Sequence, residues 1–172
     1  MANNWERTLP ATFFIGDGDA QLVAGDVAAR RVNHVGRPGW AFDDTAEEAI
    51  LSAEFDVPST HTGSGTFKAI LKLAAASDAT NDSRFDVFVE KKTPGSTTLD
   101  MEAASGWGSA NSATKSFAGT TAGDLVELAV TLSDSVAAGD LLRIGVRCDC
   151  DHADQDVVGD VFLYAVVVRE EA

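Results

Sequence analysis

Residues 49–57 read AILSAEFDV, and the period of their apolar side chains decides the fold class. Leu51, Ala53, Phe55 and Val57 share one parity, with Ser52, Glu54 and Asp56 on the other. A period of two marks a half-buried strand, because successive side chains point to opposite faces. The same period recurs along the chain. In TFKAILKLA (66–74), Phe67, Ala69, Leu71 and Leu73 alternate with Lys68, Ile70 and Lys72. RFDVFVEK (84–91) sets Phe85, Val87 and Val89 on one face, and LLRIGVRC (141–148) sets Leu142, Ile144, Val146 and Cys148 against Arg143 and Arg147. LVELAVTL (125–132) is apolar on both parities, with Glu127 and Thr131 on the wetter side. DVFLYAVVVR (160–169) is apolar almost throughout, the pattern of a central strand covered on both faces.

Between these segments stands turn chemistry: VPSTHTGSG (57–65), SDATNDS (77–83), KTPGS (92–96), GTTAGD (119–124) and AAGD (137–140). Strands spaced in this way indicate a sandwich or barrel. Weaker candidates lie at 12–16, 30–35 and 112–118. The expected architecture is all-β, an antiparallel jelly-roll sandwich of about eight strands. It should occupy residues 40–172, with residues 1–39 forming an N-terminal arm or edge strands. Helix should be limited to a turn within DDTAEEAI (43–50), which has caps and early acids, and another within 99–110.

A chain of 172 residues suits one domain, and 45% hydrophobic content supplies a core. The net charge of -14 makes it a poor partner for nucleic acid or an anionic membrane. The start, MANNWERTLP, lacks the basic and apolar regions of a secretion signal. No apolar run reaches the roughly 18 residues of a membrane span. Two cysteines make no disulfide framework. A soluble protein made in a reducing cytoplasm is expected.

Against this acidity, Arg30, Arg31 and Arg37 cluster with His34, and Trp40 follows. These residues are the candidate contact surface for an acidic neighbouring subunit, or else a solvated edge strand with internal ion pairs.

Residues 148–156 read CDCDHADQD and raise the question of a metal. Zinc needs four ligands, usually two separated pairs; here the cysteines are C-x-C, with His152 the only nearby histidine. A Cys148–Cys150 bridge would strain an extended strand. Asp149, Asp151, Asp154 and Asp156 are hard calcium-type ligands, but Ala153 breaks the EF-hand order and no glycine follows. The plain reading is an acidic, solvated connection with Cys148 as a small core residue. No metal or other cofactor is expected. There is no GxSxG, HExxH or phosphate loop, and the histidines (His34, His61, His152) are scattered, so no catalytic centre is expected. Trp5, Trp40 and Trp107 could stack on sugars, although buried packing is the commoner use of tryptophan.

Two long runs, 40–91 and 121–170, resemble a group of tailed-phage structural proteins. The residues that carry the likeness are Phe42, Asp44, Glu47, Glu48, Pro58, Gly139, Asp140, Arg143, Arg147, Asp149, Gly159, Asp160, Arg169 and Glu170. The CDC at 148–150 departs from that pattern. The resemblance implies a jelly-roll virion component, foremost a head decoration (cement) protein made in the host cytoplasm. It would bind the major capsid protein at the head surface as a homotrimer, the symmetry of a three-fold axis. The alternative it implies is a tail-fibre or receptor-binding β-sandwich module that recognises a cell-surface glycan.

Overall fold

The computed structural model describes residues 3–16, 22–23, 26–34, 36–77, 81–95 and 106–172. The strands are β1 (Asn3–Pro10), β2 (Phe14–Gly16), β3 (Val27–Ala28), β4 (Arg30–His34), β5 (Arg37–Phe42), β6 (Glu48–Ser52) and β7 (Phe55–Asp56). They continue as β8 (Thr66–Ala75), β9 (Asp82–Lys92), β10 (Asn111–Ser116), β11 (Val126–Thr131), β12 (Leu141–Cys148) and β13 (Val161–Glu171). One sheet runs β11-β8-β13-β5-β4, with β1 also on β13; the other runs β10-β9-β12-β6-β2, with β3 and β7 beside β6 and β12. Every pairing is antiparallel except β3 with β6. The architecture is the expected all-β jelly-roll sandwich, and the 160–169 segment is indeed central, between β8 and the β1/β5 edge.

The two inner faces interlock as the alternation requires. Phe67, Ala69, Leu71 and Leu73 of β8 meet Phe85, Val87 and Val89 of β9 and Leu142, Ile144 and Val146 of β12 in one core. Phe42 and Phe85 close it edge to face at 5.5 Å.

The opening stretch does not hold one parity. From Gly145 to Leu142, β12 advances three residues, while its partner advances four, from Leu51 to Phe55. One extra residue is a bulge, and it flips the faces. Ile50, Phe55 and Val57 therefore enter the core, while Leu51 lies on the outer face opposite Gly145, where Leu22 covers that row. The Ser52 hydroxyl accepts the Ile144 N–H at 2.8 Å at this break in the ladder.

Residues 1–39 correct the idea of an arm. β1 pairs with β13 along its length, and Trp5, Leu9, Ala11 and Phe14 are core residues. β2 and β4 are the terminal strands of their sheets, and β3 lies beside β6. The turn in 43–50 is also not helical. Thr45 N–H donates to Asp43 at 2.8 Å and Asp43 N–H to Glu48 at 2.7 Å, so the helix-start residues close a bend instead. The second helical turn, in 99–110, falls largely outside the described residues.

Candidate functional site

Alternation splits the basic cluster. Trp40 and Phe42 face the core, so Arg37, Gly39 and Ala41 face outward, and their β4 partners His34, Val32 and Arg30 face outward with them. Arg31 pairs opposite Trp40 and lies on the other side of β4, exposed. Trp40 is not a contact residue. It is 5% exposed and donates its indole N–H to the Ala11 carbonyl at 2.9 Å. Its bulk is needed between the sheets, which removes it from any surface. Arg30 is committed to Asp160 at 2.5 Å. That leaves His34 and Arg37 on the outer face of the β13 sheet.

There they meet Tyr164, a residue that composition did not flag. Leu163 faces the core, so Tyr164 faces outward, its ring beside Gly39, and the β13 register shifts at this point between Leu163 and Ala165. The His34 ring stacks on Phe162 at 4.5 Å, and His34 Nδ1 lies 2.9 Å from Tyr164 Oη. In either direction of that hydrogen bond the pair keeps one further donor and one acceptor. Burial pushes the Tyr164 pKa above its ordinary 10.0, with Arg37 pulling the other way, so the hydroxyl stays protonated at neutral pH.

Two adjoining hollows form a groove around this ring. One, of about 340 Å³, is walled by Pro10, Pro38, Lys72 and Ala165. The other, of about 260 Å³, is walled by His34 and Gly123. Arg37, Leu125 and Tyr164 belong to both. Leu125 is 59% exposed, an apolar wall open to solvent. Lys72 is paired to Glu127 across the β8–β11 ladder. The result is an aromatic floor with apolar walls and a few convergent polar groups, the composition of a small-molecule pocket.

The acidic candidate in the 148–156 stretch is met by the protein's own positive charge. Asp149 and Asp151 converge with Glu47, but Asp154 and Asp156 do not join them. Asp156 accepts the Asp82 N–H at 2.6 Å, and Asp154 lies 3.9 Å from Arg84. The centre of the cluster is filled by the Arg147 guanidinium, 3.0 Å from Asp26 and Asp86, 3.1 Å from Asp149, and against Glu47. Burial works against the Arg147 charge, but Asp26, Glu47 and Asp149 outweigh it and hold the side chain more firmly protonated. Cys148 is buried and Cys150 partly so, both as free thiols. Gln155 ties the loop down, accepting from Arg84 N–H at 2.7 Å and the Ser83 hydroxyl at 2.9 Å. The connection is acidic and solvated at Asp151, Ala153, Asp154 and Asp156, as expected, and is anchored to β9 through Gln155.

Of the tryptophans, Trp5 and Trp40 are buried; Trp107 is partly exposed, with the Arg143 guanidinium 5.2 Å from its ring centre.

No protein family and no curated protein matches the chain. Solved structures do. The C-terminal carbohydrate-binding module (CBM6) of LamC, a marine laminarinase from Zobellia galactanivorans, is 15% identical, with 96% of this chain covering 99% of that one at a TM-score of 0.50. The isomalto-dextranase of Arthrobacter globiformis T6, solved with panose, is 16% identical over 96% of this chain and 23% of that one, at 0.51. At such identities the likeness is one of fold: this chain is a jelly-roll β-sandwich of the kind that carbohydrate-binding modules also use.

Proposed function

We propose that the protein is a non-catalytic β-sandwich module that recognises a glycan, of the receptor-binding kind, through the groove around Tyr164. The observation that supports this reading is the half-exposed Tyr164 ring between Leu125 and Arg37, with its hydroxyl held by His34. A sugar has an apolar C–H face and a polar hydroxyl rim. An aromatic floor takes the first, and the His34–Tyr164 pair and Arg37 take the second. The sandwich keeps these groups on paired strands, so little ordering remains to be done on binding. Glycan-array binding followed by calorimetry tests it. Tyr164→Ala should weaken the best ligand at least tenfold while leaving the circular dichroism spectrum unchanged. Equal binding by the variant would rule out this groove.

A second reading, a head decoration protein, keeps one structural observation in its favour. β4 is the terminal strand of its sheet, and the exposed Arg31 within it forms no ion pair among the described residues. An open, cationic edge suits an acidic neighbour. Imaging of virions separates the two: regular copies over the head favour decoration, and a few copies at the tail favour the receptor-binding module.

A further inference from the structure

We infer that the ligand of the groove is an acidic sugar whose carboxylate sits on Arg37; this rests on the glycan reading above. The chain has 27 acidic residues against 13 Lys and Arg, and most of these cations have a carboxylate partner, the exceptions among the described residues being Arg7, Arg31, Arg37, Lys91 and Lys115. Arg30, Lys72, Arg84, Arg143, Arg147 and Arg169 all have one. Arg37 has none among the described residues, although it lines both hollows. The other cations of that face are already neutralised, Lys72 by Glu127 and Arg30 by Asp160. Asp124, next to the groove wall, is turned back to accept the Thr121 N–H at 2.9 Å.

Arg37 is thus the one uncompensated charge facing the groove among the described residues. Its guanidinium fork matches the planar geometry of a carboxylate, and such charge-assisted bonds are about twice as strong as neutral ones. The long-range field of a chain at -14 opposes an anion, so the attraction for an acidic ligand has to come at short range from Arg37 itself. The ring of Tyr164 lies within reach of the same ligand, so one hexuronic or sialic residue could rest its C–H face there and its carboxylate on Arg37.

The test compares matched pairs at ionic strength of about 0.15 M, where exposed charges are already screened beyond about 8 Å. The pairs are oligogalacturonate with neutral galactan oligomers, and sialyllactose with lactose. Wild type, Arg37→Gln, Tyr164→Ala and Arg31→Gln are titrated by calorimetry. Wild type should bind at least one acidic member tenfold or more tightly than its neutral counterpart. Arg37→Gln should abolish that preference, Arg31→Gln should keep it, and Tyr164→Ala should weaken both members. A wild type that binds the neutral members as well, or an Arg37→Gln variant that keeps the preference, overturns the acidic ligand and leaves the glycan reading standing. Failure of the wild type to bind any of the four overturns both.

Discussion

Arg147→Met is the most demanding perturbation of the scaffold. The wild-type guanidinium contacts Asp26 and Asp86 at 3.0 Å and Asp149 at 3.1 Å, with Glu47 on its remaining nitrogen. The Asp26 and Asp86 side chains are only 2% and 7% exposed. Methionine fills much of the volume but leaves these carboxylates in place without a cation. Asp26 keeps only the Val23 N–H at 3.0 Å among its described partners, and Asp86 the Ser112 hydroxyl. Removing one partner of a buried ion pair costs about 3–5 kcal/mol. Four carboxylates do not multiply that figure, because they share one cation and because a stranded acid can take up a proton.

Proton uptake fixes the sign of the pH dependence. Burial already raises the Glu47 pKa above 4.5 in the wild type, and losing Arg147 removes a charge that lowers it. A carboxyl group whose folded pKa exceeds its unfolded one binds more protons when folded, so its contribution worsens as pH rises through that interval. The variant's deficit should therefore be largest near neutrality and shrink toward acid. Urea unfolding followed by tryptophan fluorescence at pH 7.5 and 5.0 measures it. The expected result is about 3–5 kcal/mol lost at the higher pH and a smaller loss at the lower. A loss below about 1 kcal/mol, the worth of an ordinary surface pair, would refute the claim that Arg147 neutralises this face. So would a deficit that grows in acid.

Three further outcomes follow from the packing. Deleting residues 1–10 should leave no cooperative fold in near-ultraviolet circular dichroism, because it strips β13 of its β1 neighbour and empties the Trp5 and Leu9 positions. Gly65→Ala would put a methyl 2.1 Å from the Glu171 carbonyl oxygen, against backbone, and should cost at least about 2 kcal/mol in urea unfolding, within the range of overpacking. Burial, with Glu47 adding to it, pushes the Cys150 thiol up to about 12, so native protein at pH 7 should resist iodoacetamide by mass spectrometry and react once unfolded.

The sheets were legible because their inward residues repeat at a period of two over long strands, as in β8, β9 and β12. β5 was not, because RPGWAF carries proline and glycine at its second and third positions, and its last four residues are all buried, which erases the alternation. β1 had a readable signal, the alternation of Trp5, Arg7 and Leu9. It is interrupted by the charged Arg7 on the same parity, which lies over the Phe55 ring at 5.2 Å. The groove was half legible. Local charge pointed to His34 and Arg37, but no pattern in the sequence announces the bulge at Tyr164 or the exposure of Leu125. Both depend on which strand lies beside which.

The phage resemblance can be weighed in the same physical terms. The residues that carry it hold the scaffold together. Asp44 accepts the Gly159 N–H at 2.6 Å, and Glu47 and Asp149 surround Arg147. Arg143 pairs with the buried Glu90. Glu170, wholly buried, accepts from Thr62 N–H at 3.0 Å and Gly65 N–H at 3.1 Å. In both Gly-Asp steps the glycine is left-handed, with φ of 86° at Gly139 and 91° at Gly159, a conformation that costs other residues. Asp140 then receives Ala137 N–H at 2.8 Å and the Thr93 hydroxyl at 2.7 Å. Such residues specify a sandwich, and any protein needing this sandwich would need them, whatever it binds. Arg37 and Tyr164 do the opposite. Arg37 lies outside the two runs, Tyr164 is not among the residues that carry the likeness, and Arg37 forms no ion pair among the described residues. The pair is better explained by what enters the groove than by what holds it open.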